Sequence, residues 1–320
     1  MRIDNQPFNL LETRHNLLKT IRAYFYKHKY IEVETPGLMK TLSPDPFIDP
    51  LEVYIGGKAS CYLHTSPEMN MKKLLQSGHE RIFQICKVYR VEEFEEIHSI
   101  EFTMLEWYRE GTYIQAMKEV EELIRYVVGR SGKNKKDIFK MPFKVYELEE
   151  LCLEMSGINP FKLNRDKLFR TMKSKDFMGI DEKDDWNNLF FKLFIQEVEP
   201  KIVEKAPYFI KNWPLSVSTM AEKKDKNRVE RFELYINGVE IANGYTELLD
   251  PEEQRNRFLI DNEERKKLDK KTFEPDEEFL EALSRVKGPC TGVSIGVDRL
   301  LMVLLDKEKI DDVLVQRFKA

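Results

Sequence analysis

The dipeptide Asn237-Gly238 constrains this chain more than any other two residues. It separates two alternating apolar and polar runs within Arg231 to Ala242. A two-residue turn between antiparallel strands needs positive φ at both central positions, and Asn-Gly is the pair that best tolerates it. The surrounding chain therefore pairs with itself as a hairpin. A second antiparallel pair is expected from Arg81 to Arg90 and from Glu101 to Tyr108, around a charged loop from Glu92 to His98, with arginine and glutamate facing inward. Shorter strands are expected at residues 30–34, 61–64, 208–210 and 290–295. Helical spacing marks residues 9–29, 69–76, 112–128, 274–285 and 300–305, and a mostly helical insertion covers about residues 145–205. Ser66 and Pro67 suit the start of the second of these helices, as cap and first helical position. Antiparallel strands with helices at their ends and edges indicate an α+β fold, read as a single domain over residues 1–320.

Composition narrows the function classes. The 320 residues are 42% hydrophobic and 34% charged, with a net charge of −4. That balance fits a globular protein and argues against a surface that grips long nucleic acids through phosphates. The Lys223 to Arg228 run is interrupted by an acid and reads as a solvated loop. No run of eighteen apolar residues suggests a membrane span, and residues 1–10 lack the apolar core of a signal peptide, so a cytoplasmic location is expected. Cys61, Cys86, Cys152 and Cys290 are widely spaced and read as free thiols rather than zinc ligands.

Chemistry concentrates around two carboxylates. Glu240 and Glu247 lie seven residues apart, which on a regular strand puts them on opposite faces. A kink at Asn243-Gly244 is expected to bring them together. Such a pair can hold magnesium, an ammonium group, or both. No glycine-rich phosphate loop is present. If ATP is used, the remaining means of holding it is a pair of arginines on the sheet, Arg90 and Arg299, with Gly296 allowing close approach of a ligand. Glu106 sits among large apolar neighbours in Met104-Leu105-Glu106-Trp107-Tyr108 and so requires a cation, either from the protein or from a substrate.

These segments resemble a known family. Val88-Tyr89-Arg90-Val91-Glu92-Glu93, followed by Glu101 to Tyr108, resembles motif 2 of the class II aminoacyl-tRNA synthetases. Gly292-Val293-Ser294-Ile295-Gly296-Val297-Asp298-Arg299-Leu300 resembles motif 3, and the first helix with Val33-Glu34-Thr35-Pro36 resembles the dimer-forming motif 1. Thr65-Ser66-Pro67-Glu68 and the run from Glu240 to Leu248 are similar to the lysine branch. The resemblance spans residues 10–318 and implies a mixed, mostly antiparallel catalytic sheet flanked by helices, a homodimer, and ATP with Mg2+ as cofactors. It implies that Arg90 holds the α-phosphate and the amino-acid carboxylate, and that Arg299 holds the γ-phosphate. Phe102 would stack on adenine, and Val91, Glu92, Ser99, Ile241 and Gly296 would complete the nucleotide site. Glu240 and Glu247 would coordinate the metal. Ser66, Pro67, Glu68, Glu106, Tyr108, Asn243, Tyr245, Glu247 and Ser294 would form the amino-acid site.

The resemblance also bears on the acceptor. Motif 1 begins about ten residues into the chain, which leaves no room for an N-terminal anticodon domain. A short branch without that domain transfers (R)-β-lysine to a lysine of elongation factor P. The expectation is therefore a ligase that adenylates lysine or (R)-β-lysine and takes elongation factor P, not tRNA, as acceptor. The alternatives are a lysine-activating relative with tRNA or a small amine as acceptor, or a non-enzymatic amino-acid sensor. Three positions depart from the pattern. Val91 replaces a usual Asn, Ser99 replaces a nucleotide-contacting Asn, and Ser294 stands where smaller residues set the pocket depth. The motif 2 loop is acidic at Glu95 and Glu96.

Overall fold

A computed structural model describes residues 10–91, 96–130, 137–202 and 205–316. The chain opens with α1 (Leu10–Lys27), whose buried face is Leu17, Ile21, Tyr24 and Phe25. This i, i+4, i+7, i+8 spacing gives one apolar stripe. Next come β1 (Ile31–Glu32), β2 (Leu38–Met39), β3 (Glu52–Ile55) and β4 (Lys58–Leu63), then α2 (Glu68–Leu75). The long pair β5 (Arg81–Tyr89) and β6 (Glu101–Glu110) follows, in unbroken antiparallel register from Arg81↔Arg109 to Tyr89↔Glu101. α3 (Tyr113–Arg130) covers the sheet.

The region expected to be mostly helical begins with a strand, β7 (Lys144–Glu147). It then supplies α4 (Leu148–Ser156), α5 (Arg165–Lys173) and α6 (Trp186–Leu193) around a separate apolar core that includes Leu151, Leu168, Leu189 and Phe190. The chain returns through β8 (Tyr208–Lys211), β9 (Arg231–Ile236) and β10 (Val239–Thr246). Asn237 and Gly238 adopt φ of 53° and 76°, the left-handed turn expected from the dipeptide. α7 (Pro251–Lys267), α8 (Glu277–Leu283), β11 (Cys290–Gly296) and α9 (Val297–Leu305) complete the chain.

Among the described residues the main sheet has eight strands, in the order β1-β5-β6-β11-β10-β9-β8-β7. Only the outer pairs, β1 with β5 and β7 with β8, are parallel. A three-stranded sheet, β2-β4-β3, stands apart from it. One face of the main sheet is sealed by α1, α3 and α9 through Phe83, Trp107, Leu123, Ile295 and Leu300. Residues of the central strands β6, β10 and β11 that avoid this core project to the opposite face, where the cavities lie.

Two points correct the sequence reading. Gly244 does not kink the chain. It sits in regular register between Phe232 and Val293, and a Cβ there would lie 2.7 Å from the Phe232 ring. The irregularity is a bulge between Glu240, opposite Tyr235, and Ala242, opposite Leu234. One extra residue cancels one alternation. Glu240 therefore shares a cavity with Asn243, where regular pleating would have turned it away. Pro67, expected as the first helical residue, is instead the N-cap of α2; Ser66 Oγ accepts from the Glu68 N–H at 3.0 Å.

Candidate active site

Two adjoining cavities open on the free face of β6, β10 and β11, and Arg90, Met104, Asn243 and Ser294 line both. The first, of about 110 Å³, gathers Arg90, Ser99, Phe102, Glu240, Ile241, Gly296 and Arg299. Arg90 enters from the end of β5. Its Nε donates to the Thr65 carbonyl at 3.1 Å, and its guanidinium lies 5.3 Å from the Phe102 ring centroid. Arg299 enters from the first turn of α9, and its Nη2 lies 2.5 Å from His98 Nε2. Its Nη1 is 3.6 Å from Glu240 Oε2, a carboxylate more than one-third exposed. The neighbouring Asp298 is buried and holds the turn, accepting from the Thr103 N–H at 2.7 Å and pairing with Arg14 of α1 at 2.5 Å. Two guanidinium groups with fixed stems thus face one polar slot beside an aromatic ring. That arrangement suits a planar base followed by phosphates.

The second cavity, of about 160 Å³, is an acid cluster. Glu106 of β6 is buried; it accepts from Ser66 Oγ at 2.8 Å and from Tyr108 Oη at 2.6 Å. Glu247, just after β10, is also buried. Between Glu247 and Glu68 stands Lys72 of α2, with no solvent exposure. Its Nζ is 2.7 Å from Glu68 Oε1 and forms an ion pair with Glu247 Oε2, without a well-directed hydrogen bond to either Glu247 oxygen. Tyr245 Oη donates to Glu68, and the Tyr245 ring lies 5.4 Å from Lys72 Nζ. Burial pushes Glu106 up to about 7, with the charge of Glu68 adding to it. Burial pushes Glu247 up to about 8 even though Lys72 pulls it down. Lys72 itself is held cationic by its two carboxylates, against its burial. Three acids share one lysine, so with all three ionised the cluster is short of two positive charges. A second ammonium entering here would offset one of them and favour release of a carboxyl proton.

Most residues expected at the site come together. Two do not: Pro67 lines neither cavity, and Val91 is exposed, with its N–H donating to the Asp49 carbonyl at 2.8 Å. Glu92 lies outside the described residues. Glu240 and Glu247, expected to share one ion, line adjoining cavities on the same face of the sheet. The bulge places Glu240 in the arginine cavity, whereas Glu247 lies in the acid cavity and is matched to Lys72. Among the described residues, no three His, Cys, Asp or Glu side chains gather as a metal cage.

Sequence reading missed two residues. Lys72 is four residues after Glu68 on α2, a spacing that puts both on one helix face and could have flagged it. Arg231 of β9 donates from Nε to Asn243 Oδ1 at 3.1 Å, from Nη2 to Glu233 at 2.6 Å and from Nη1 to the Val217 carbonyl at 3.0 Å. It links the floor of the acid cavity to its wall, and no local signal marked it.

Known proteins resemble this chain over most of its length. The profile of the tRNA synthetases class II (D, K and N) matches residues 3–316. The elongation factor P--(R)-beta-lysine ligase of Haemophilus influenzae (strain PittGG) is 37% identical over 320 residues, covering 96% of this chain and 94% of that protein. The proteins of the same name from Pectobacterium carotovorum subsp. carotovorum (strain PC1) and Buchnera aphidicola subsp. Acyrthosiphon pisum (strain APS) are each 34% identical, over 96% and 94% of this chain and 94% and 93% of theirs. No helix among the described residues is long and apolar enough to cross a membrane. With its α+β core, its arginine slot and its acid cavity on one sheet, the chain belongs to the class II tRNA synthetase family (D, K and N).

Proposed function

We propose that this chain is an ATP-dependent ligase that activates lysine or (R)-β-lysine as its adenylate and transfers the acyl group to a lysine amine of elongation factor P. The observation that carries the reading is the pair of adjoining cavities, one gathering two arginines and one gathering three acids, with Arg90 in the wall between them. The names of the relatives support elongation factor P as acceptor.

In the first step a carboxylate oxygen of the amino acid attacks the α-phosphorus. The bond to the bridging oxygen breaks, and pyrophosphate leaves. Arg90 steadies charge developing on the α-phosphate, and Arg299 holds the departing end. Phe102 stacks on adenine. Glu106, Tyr108, Glu68 and Glu247 take the substrate's ammonium groups and fix its orientation. In the second step the acceptor's uncharged amine attacks the acyl carbon, AMP leaves with the bond electrons, and the amine's extra proton passes to solvent. Mg2+ is part of the proposal. Glu240 fits it, being partly exposed beside Arg299, because magnesium commonly binds through one carboxylate together with phosphates and water. The ion would screen the charge of the leaving pyrophosphate. A homodimer joined through α1 completes the reading.

Pyrophosphate exchange with lysine or (R)-β-lysine, followed by intact-mass analysis of elongation factor P, tests the proposal. Exchange with a one-residue mass gain supports it. Absence of both overturns it.

A further inference from the structure

A third cavity, of about 660 Å³, lies across a shared wall from the acid cavity, and Asp45, Val217 and Thr219 line both. Its floor is α7, and its sides come from the helical insertion and the segment around Phe47. Phe47, Trp186 and Ile260 give it an apolar surface, and both Phe47 and Ile260 are more than half exposed at the mouth.

The charges in the cavity are not balanced. Arg257 Nε pairs with Glu253 at 2.9 Å, and its Nη1 donates to the carbonyls of Ser218 and Ala221 at 3.2 and 2.6 Å. Lys223 pairs with the same Glu253 at 2.7 Å. Lys226 is exposed. Asp261 is more than nine-tenths buried and accepts from the Thr219 hydroxyl at 2.6 Å; Asp45 accepts from the Phe47 N–H at 2.8 Å. Neither acid forms an ion pair with a lysine or arginine among the described residues. Burial, with the charges of Asp45 and Glu264 against that of Arg257, pushes Asp261 up to about 7. Two neighbouring acids and an aliphatic-aromatic surface suit a long apolar stem ending in an ammonium group.

We propose that this cavity docks the acceptor protein through a basic side chain other than the modified lysine, with that side chain's stem against Phe47, Trp186 and Ile260 and its cationic end between Asp45 and Asp261. This rests on the acceptor reading above and adds the surface where the acceptor docks. The segment 217–221 is then both the wall of the amino-acid site and the edge against which the acceptor rests. Arg231 grips it from one side, and Arg257 grips it from the other.

The test uses the full chain with Ile260→Glu and, separately, Asp261→Asn. Ile260 is exposed, and Asn can keep the hydrogen bond from Thr219, so both variants should fold. Each is assayed for lysine-dependent pyrophosphate exchange without acceptor, and for transfer to elongation factor P. Exchange should stay within about twofold of the parent, while KM for elongation factor P should rise roughly tenfold or more, as for a central interface contact. Parent-like KM for elongation factor P in both variants would overturn the inference alone. Exchange by the parent protein with no transfer would sink the acceptor reading, and this inference with it.

Discussion

Replacing Lys72 by Met is the most direct perturbation of the acid cavity. The side chains are similar in length, so packing is largely kept. What is lost is the cation, 2.7 Å from Glu68 and ion-paired with Glu247. Lys72 and Glu247 are almost wholly buried, so solvent cannot make up the charge. Removing one partner of a buried ion pair typically costs about 3–5 kcal/mol. At about 2 °C per kcal/mol for a chain of this size, that is a fall in Tm of roughly 6–10 °C. The pH dependence has a definite sign. Glu247 stands at about 8 with Lys72 beside it. Without Lys72, burial and the neighbouring acids act upward only. A carboxyl raised in the folded state favours folding while protonated, and that advantage is lost as pH rises through its folded value. The variant's deficit should therefore be larger at pH 9 than at pH 6.5. Calorimetric melting at both pH values checks this. A deficit under about 1 kcal/mol, or one that shrinks as pH rises, would refute the charge-balance argument.

Three further outcomes follow from the same geometry. Glu106→Gln keeps the shape but removes the charge, and should raise KM for lysine in pyrophosphate exchange by about thirtyfold or more while leaving KM for ATP within a few-fold, since truncating a buried charge contact typically costs 2–5 kcal/mol. Unchanged lysine KM would place the ammonium elsewhere. Gly292→Ala should nearly abolish lysine-dependent exchange, because its Cβ would meet Glu247 Oε1 and lie 2.5 Å from the Tyr108 ring; normal activity would show that the cavity floor yields. Because burial holds Glu106 and Glu247 near 7 and 8, and only their ionised forms pair with an ammonium, lysine affinity should rise between pH 6 and 8 with release of protons. Isothermal titration in buffers of different ionisation heat reads that release, and none would contradict the shared-proton picture.

Much of the sheet was legible because the signals were local. The turn at Asn237-Gly238 needs only two residues' φ preferences. The strands β5, β6 and β11 carry apolar runs bounded by polar loops. By contrast, α7 escaped notice because its inner face buries Gln254, Arg257, Asp261, Asn262 and Arg265, leaving no apolar period to detect. Glu240 and Glu247 stand out in the sequence as a carboxylate pair, but the side chains that each one meets do not. The bulge that redirects Glu240 depends on how β9 and β10 register, and Lys72 reaches Glu247 only through the tertiary packing of α2 against β6 and the end of β10. Arg90 and Arg299 stand out only as a pair, one at a strand end and one at a helix start, and their expected roles come from the resemblance of their segments to motifs 2 and 3.

The central claim is that the arginine slot and the acid cavity act as one acyl-transfer site. Incubating the protein with ATP, Mg2+, (R)-β-lysine or lysine, and elongation factor P, then measuring the intact mass of the factor, tests it most directly. The expected result is a gain of one lysyl or β-lysyl residue that requires ATP, disappears with Arg299→Ala, and at amino-acid concentrations below the parent KM forms at least about tenfold more slowly with Glu106→Gln. An unmodified factor in the presence of both amino acids, a gain that survives Arg299→Ala, or a parent-like rate with Glu106→Gln, would contradict it.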